Sequence, residues 1–180
     1  MHFFYKFACL KVGRMEQFKA FLIPFIGLKD GVHHFDFKID NTFFEGFEFL
    51  DFQNARVTVG LVFEKKPTLL TFNFNAKGTI TVPCDITTEL FDLPINTAFK
   101  LVVKFGSVEN HDDDEIVILP HGSNEIQVAQ YIYEMIVLSV PQKKVHPGIE
   151  AGTLKSDILE KLKNMETQKK IPSEETDPRW

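Results

Sequence analysis

The chain has 180 residues and two cysteines, so it can bury a core of its own but cannot build a disulfide framework or a four-cysteine metal site. That cysteine usage indicates a reducing, cytoplasmic environment, and no apolar run approaches the roughly 20 residues of a membrane-spanning helix. The net charge of −5 is not accompanied by the basic face that binding along a nucleic-acid backbone requires.

Residues 1–14 are predicted to be an extension that lies outside the domain. Met15 opens the first alternating stretch, so it is a candidate for the true start of the protein. Residues 15–150 are predicted to form a single domain, followed at 151–180 by a helix and a flexible polar tail.

Strands are predicted throughout the part of the chain that precedes Gly106, where most of the 19 Phe are found. Apolar residues recur there at every second position, which predicts strands with one solvated face and is typical of an antiparallel sheet. The alternating segments are 35–39, 57–63, 70–76 and 99–105.

The connections between these strands contain turn-forming residues. "GLKDG" at 27–31 and "EKKPT" at 64–68 predict that the strands on either side of each turn pair as hairpins. Gly78 lies inside a continuing alternation, which predicts a bulge or bend within one long strand.

Helical spacing predicts three helices. The first lies near residues 41–50 and is capped by Asp40 or Asn41; the second is a buried helix near 126–140; the third is a weaker helix near 156–166. The predicted fold is therefore α+β, with a mainly antiparallel, strongly curled or barrel-like sheet joined by these helices.

Cys84 lies in "TVPCDITTELFDLPI", where one cysteine opens a short loop. It could be a metal ligand, a reactive thiol with a histidine as base, or a buried structural thiol. No Gly-rich elbow follows it, and free cysteines are among the most buried residues, so we interpret it as structural. We predict no metal, no cofactor and no catalytic residue.

Two charged segments are candidate contact sites. Every charged residue between Ser107 and Glu134 is acidic, and the densest part of that stretch is Asp112, Asp113, Asp114 and Glu115. This part lacks the alternating ligands and central Gly of a calcium loop, so it is interpreted as a solvated acidic surface. Lys143, Lys144 and His146 follow the second helix, either as favourable cations at a helix C-terminus or as a contact for an acidic partner or RNA.

Three ordered motifs carry a resemblance to a known family. The first motif is a Gly-bearing strand that runs into the loop opened by Cys84. The second is "YEMIVLSVPQKKVH", which contains Glu134, Pro141 and His146. The third is "DPRW", which contains Asp177, Pro178 and Arg179. Over residues 15–180 the chain resembles the YceD family of large ribosomal RNA subunit accumulation proteins. "IPFIGLKDG" and "VAQYIYEMIVLSVPQKKVHPG" resemble its Bacteroidetes branch. Because "DPR" in the family usually continues as a short helix, we expect a truncation after Trp180.

The resemblance implies a bacterial cytoplasmic protein that supports synthesis, processing or stability of 23S ribosomal RNA, with no catalytic activity established for the family. Many members have C-x-x-C where this chain has Cys84 and Thr87, which argues against a metal or redox role here.

The preferred hypothesis is a non-enzymatic assembly factor that binds a basic large-subunit ribosomal protein or a pre-ribosomal particle through the acidic residues 112–115, with Tyr131 or Tyr133 as an aromatic anchor. The alternatives are direct RNA binding through Lys143, Lys144 and the tail, and a nuclease or hydrolase with an unrecognised site. No membrane contact and no particular oligomeric state are predicted.

Overall fold

The computed structural model describes residues 18–106 and 116–150, and all structural statements below concern those residues. The chain divides into two compact units. Of the described residues, the larger unit contains 18–82 and 92–141, and the smaller unit contains 83–91 and 142–150.

Seven strands and three α-helices form within the described residues, with a short 3-10 helix at Lys19–Phe21 before the first strand. In chain order they are β1 (Leu22–Pro24), β2 (Gly31–Ile39), α1 (Asn41–Gly46), β3 (Asn54–Lys65), β4 (Leu69–Pro83), β5 (Leu90–Phe105), β6 (Ile116–Leu119), β7 (Glu125–Gln127), α2 (Ala129–Ser139) and α3 (Pro147–Glu150). The predicted α+β class is confirmed, and no helix among these is long and apolar enough to span a membrane.

Strands β2, β3 and β4 form an antiparallel sheet whose inner face is the apolar core. Val59 in the central strand is paired with Phe37 on one side and Ala76 on the other. The rings of Phe63 and Phe72 stack with centroids 4.5 Å apart. Alternate residues of β3 and β4 are almost completely buried, as the period of two predicts, and the hairpin predicted at 64–68 is confirmed.

Within the described residues the sheet is open, so neither the strong curling nor the barrel-like closure that was predicted is supported. Its strand order is β2-β3-β4-β5-β6, which leaves β2 and β6 as the outer strands. Closure requires the two outer strands to pair with each other, and alternation within a strand contains no information about that pairing. Strand β6 is also parallel to β5, so the sheet is only partly antiparallel.

Strand β1 corrects the hairpin predicted at 27–31. It pairs with β7 rather than with β2, and Ile23 lies opposite Ile126. The turn residues at 27–31 redirect the chain, but they do not decide which strand supplies the hydrogen bonds.

Gly78 causes no bulge, because β3 and β4 keep a one-to-one register through it, with Gly78 opposite Val57. A Cβ atom at this position would overlap the carbonyl oxygen of Arg56 and come within 2.6 Å of the Val57 Cα. The glycine is therefore required by a close approach of two backbones and not by a bend.

Helix α1 is fixed at both ends by its flanking residues. Asp40 is the N-cap, as predicted, and its carboxylate accepts hydrogen bonds from the Phe43 amide at 3.3 Å and the Thr42 hydroxyl at 2.6 Å. The helix is shorter than the predicted 41–50 and ends at Gly46, and Glu48 adopts a left-handed conformation with φ of 58° soon after.

The predicted helix near 126–140 is confirmed as α2, but it begins later because residues 125–127 are used by β7. Ile132 and Ile136 are fully buried, whereas Leu138 is 82% exposed, so the helix has one buried side. The helix predicted near 156–166 lies outside the described residues.

Candidate functional site around Cys84

The loop between β4 and β5 closes on itself through backbone hydrogen bonds. The Cys84 amide donates to the Glu89 carbonyl at 2.8 Å, and the Thr88 amide donates to the Cys84 carbonyl at 2.9 Å. Thr88 has φ of 60°, the left-handed conformation that lets the chain turn back so tightly. These two hydrogen bonds and the left-handed residue therefore close the loop.

Segment 142–150 binds this loop through a reciprocal contact. The Asp85 amide donates to the Lys144 carbonyl at 2.8 Å, while the Lys144 amide donates to the Asp85 carboxylate at 2.6 Å. The His146 amide donates to the Cys84 sulfur at 3.3 Å, which joins residues 62 positions apart in the sequence. We call this group of Cys84, Asp85, Lys144 and His146 the Cys84 junction.

The His146 ring is held in one orientation within the junction. Its Nδ1 accepts a hydrogen bond from the Gly148 amide at 2.9 Å, so a neutral ring carries its proton on Nε2. The ring also contacts Phe91 edge-on, with centroids 5.5 Å apart. Its Nδ1 is therefore already used by the backbone at the start of α3.

The Cys84 thiol is almost completely buried, with 1% of its surface exposed. Burial on its own raises the thiol pKa, but hydrogen bonds to the sulfur from the Thr87 side chain and from the amides of His146, Thr87 and Ile86 lower the pKa to about 7. Thr87 is 2% exposed, and its hydroxyl lacks a hydrogen-bond partner of ordinary geometry among the described residues, although it contributes to the lowered thiol pKa.

These contacts make Cys84 an acceptor that joins two segments of the chain. As predicted, it follows a strand end and is buried. A nucleophile would need a base directed at the sulfur, whereas the group that His146 directs at it is the backbone amide. The structural role of this thiol stays a prediction.

The other predicted site residues fall in several places. Asp112, Asp113, Asp114 and Glu115 lie outside the described residues, as do Asp177, Pro178 and Arg179. Lys143 is exposed and Lys144 is half-buried in the smaller unit, whereas Glu134 in α2 and the exposed Pro141 belong to the larger unit. No group of three or more His, Cys, Asp or Glu among the described residues is arranged to hold a metal ion.

A cleft of about 630 Å³ lies beside α1 in the larger unit. Its lining includes Phe18, Phe43, Lys38 and Glu45, and none of the site residues predicted from the sequence. We assign it no role.

The sequence predictions missed two parts of the Cys84 junction. Asp85 is the residue that holds segment 142–150 by both its backbone and its side chain, and Thr87 supplies a hydroxyl near the sulfur. Asp is a frequent turn-forming residue, so its position at the loop start was an available signal for a local hydrogen bond. Nothing local identified Lys144 as its partner.

The described residues define an α+β protein in which the polar contacts of the Cys84 junction organise the loop after β4. A family model described as large ribosomal RNA subunit accumulation protein YceD matches residues 72–180. The match covers more than half of the chain, so the chain belongs to the YceD family, and the resemblance predicted from the motifs is confirmed. The Bacteroidetes branch stays a prediction. No curated protein and no solved structure matches the chain.

Proposed function

We propose that this protein is a non-enzymatic ribosome-biogenesis factor that supports synthesis, processing or stability of 23S ribosomal RNA in the bacterial cytoplasm. The observation that carries the proposal is the family match over residues 72–180, because the family is named for accumulation of the large ribosomal RNA subunit. The matched region includes both segments of the Cys84 junction, so the junction lies within the part of the chain that the family model matches.

The proposed mechanism is binding of a basic large-subunit ribosomal protein or an assembly intermediate. It is supported by the stretch from Ser107 to Glu134, in which every charged residue is acidic. Asp112, Asp113, Asp114 and Glu115 would supply most of that charge. Complementary charges speed the encounter of two proteins and fix their orientation.

The test is a bacterial strain that lacks the gene, complemented with variants of the protein. We expect the strain without the protein to show a reduced ratio of 23S to 16S ribosomal RNA, and the wild-type gene to restore it. Asp113→Asn combined with Asp114→Asn should restore the ratio only in part and should capture less large-subunit protein. The matched control is Asp36→Asn with Glu89→Gln, which removes the same charge from exposed positions outside that stretch. An unchanged ratio in the strain without the gene would rule out the proposed function.

Direct RNA contact is the second candidate, and the exposure of Lys143 on a segment held by backbone hydrogen bonds favours it. The Asp85 carboxylate beside the Lys144 amide opposes it, because a phosphate would be repelled there. If RNA binds here, Lys143→Ala with Lys144→Ala should weaken a salt-dependent gel shift with large-subunit RNA. Lys77→Ala with Lys100→Ala, at exposed strand positions, is the control of equal charge. Absence of any shift at low salt removes this candidate.

A further inference from the structure

Three half-buried aromatic rings form a continuous surface where α2 meets the segment that follows α1. The Tyr133 ring stacks on Phe47 with centroids 4.4 Å apart and an interplanar angle of 14°, and it meets Phe49 edge-on at 5.8 Å. Leu50 is next to Phe49 in the chain and is 71% exposed. Such an apolar group at the surface is a feature of binding sites.

Buried rings hold this surface in place from below. Phe43 lies 5.3 Å from Phe47, and Phe52 lies 4.8 Å from Phe49, measured between ring centroids. Both supporting side chains are buried. Because the half-buried rings are already fixed by packing, their side chains lose little additional entropy when a ligand binds them.

Two carboxylates border the rings. Asp51 is exposed and lies two residues after Phe49, and Glu134 follows Tyr133 in α2. In agreement with this placement, burial raises the pKa of the Tyr133 hydroxyl, and the negative charges of Asp51 and Glu134 raise it further. Glu134 is held in position by a hydrogen bond from the Gln130 amide nitrogen at 3.0 Å. Within residues 18–106 and 116–150, no cation forms an ion pair with either carboxylate. We call Phe47, Phe49, Tyr133, Asp51 and Glu134 the aromatic–acidic surface.

The chemistry of this surface selects its ligand. A planar guanidinium can lie against an aromatic ring while its N–H groups donate to neighbouring carboxylates, and it loses less hydration than an ammonium when it does so. Nucleic-acid bases also stack on aromatic rings, but their phosphates would be repelled by Asp51 and Glu134. The ligand that fits both features is therefore an arginine side chain on a protein.

We propose that the aromatic–acidic surface is a docking site for an arginine-containing segment of a basic protein. The inference rests on the proposed function for the biological source of that segment, a ribosomal protein or assembly intermediate. The proposed docking site does not include residues 112–115. It gives the partner a contact within the described part of the larger unit.

The test is fluorescence anisotropy with the purified full chain and two labelled peptides of equal length and charge. One peptide repeats Arg-Gly and the other repeats Lys-Gly. We expect the arginine peptide to bind about fivefold more tightly, because the guanidinium adds ring stacking to the charge. Asp51→Asn with Glu134→Gln should weaken binding about tenfold at about 0.1 M salt. Asp36→Asn with Glu89→Gln, the control that removes the same charge elsewhere, should leave binding within about twofold.

Ring variants separate stacking from charge. Tyr133→Phe keeps the ring and should bind like the wild type, whereas Tyr133→Leu should weaken binding about fivefold. Circular dichroism checks that Tyr133→Leu is folded. If Tyr133→Leu does not fold, the variant Asp51→Asn with Glu134→Gln still tests the site. Equal affinity for the two peptides would overturn the proposal, as would equal weakening by the Asp51/Glu134 variant and its control. If Asp113→Asn with Asp114→Asn abolished peptide binding and the Asp51/Glu134 variant did not, the aromatic–acidic surface would be excluded as the docking site, but the proposed function would stand. The proposed function has its own readout, which is the ratio of 23S to 16S ribosomal RNA.

Discussion

Cys84 stabilises the protein in our interpretation by accepting hydrogen bonds. Its sulfur receives the His146 amide at 3.3 Å, and Asp85 next to it holds both polar backbone groups of Lys144. These hydrogen bonds join segment 142–150 to the loop after β4. Loss of the sulfur leaves an amide without its acceptor, which is a stability effect and not a chemical one.

Replacing Cys84 is therefore expected to cost stability and to leave function intact. Cys84→Ala should lower the free energy of unfolding by about 1–2 kcal/mol, since it removes a buried side chain and a hydrogen-bond acceptor. Cys84→Ser keeps an acceptor and should cost less. Urea denaturation measures both values. Stoichiometric zinc in the purified protein, or a folded Cys84→Ser variant that fails to support 23S RNA, would contradict the structural role.

The lowered thiol pKa makes a part of the stability depend on pH. The folded thiol has a pKa of about 7 against 9.0 for an unperturbed one, so between these values the unfolded chain binds more protons. The stability that the ionised thiol contributes is fully present above the thiol pKa of the unfolded chain, and it is lost as the pH falls through about 7. We expect the difference in unfolding free energy between wild type and Cys84→Ser to grow as the pH rises across this range. A difference that does not change with pH would show that the folded thiol titrates like an unfolded one.

Gly78 and Gly60 provide a matched pair of glycines in paired strands. A Cβ at Gly78 would collide with the backbone of Arg56 and Val57, whereas at Gly60 the nearest atom is the Asp36 carboxylate oxygen at 3.6 Å. Gly78→Ala should therefore cost about 2 kcal/mol or more. Gly60→Ala should be neutral or stabilising by about 0.5 kcal/mol. Thermal unfolding of the two variants decides this, and equal effects would mean that strands β3 and β4 do not approach as closely as described.

At the scale of elements, Asn41 attaches helix α1 to strand β3. Its side-chain oxygen accepts from the Ala55 amide at 2.6 Å, and its nitrogen donates to the Gln53 carbonyl at 2.8 Å. Two polar groups at the start of β3 are thus satisfied by one residue at the start of α1.

Asn41→Ala should destabilise the protein by about 2 kcal/mol, because both backbone groups lose their partner. Asn41→Asp keeps the acceptor for Ala55 and should cost less. Hydrogen exchange at the Ala55 amide provides the local readout, with protection reduced in the alanine variant and retained in the aspartate variant. Unchanged protection in Asn41→Ala would refute the attachment.

The elements that could be predicted from the sequence are those determined by local patterns. The N-cap at Asp40 and the hairpin at 64–68 were predicted because capping and turn residues lie within a few positions of the structure they cause. The strand that pairs with β1 was not predicted, since β7 lies about a hundred residues away and the sequence of a short strand does not indicate its pairing partner. The start of α2 was misplaced for the same reason.

The candidate site shows the same division. The loop opened by Cys84 and the basic segment containing His146 were each identified from the sequence, and the structure brings them into contact. Their contact was not predicted, because the donor is a backbone amide and every residue has one. Of the aromatic–acidic surface, the sequence predicted only that Tyr131 or Tyr133 would serve as an aromatic anchor for a partner. The stacking of Tyr133 on Phe47 could not be predicted, since it depends on how α2 and the segment after α1 pack.

Over the whole molecule, function and stability are assigned to different groups of residues. The Cys84 junction holds the smaller unit, while the acidic residues 112–115 and the aromatic–acidic surface are proposed to bind a basic partner. Because the chain belongs to the YceD family, both proposals have the same cellular readout, which is the level of 23S ribosomal RNA relative to 16S.

The central claim, that the protein acts by binding and not by thiol chemistry, is tested most directly by that ratio in one deletion strain. The strain is complemented either with Cys84→Ser or with the combined variant Asp51→Asn, Glu134→Gln, Asp113→Asn and Asp114→Asn, at equal protein levels verified by immunoblot. We predict that Cys84→Ser restores the wild-type ratio and that the combined variant does not. Restoration by the combined variant and failure of Cys84→Ser would contradict the claim.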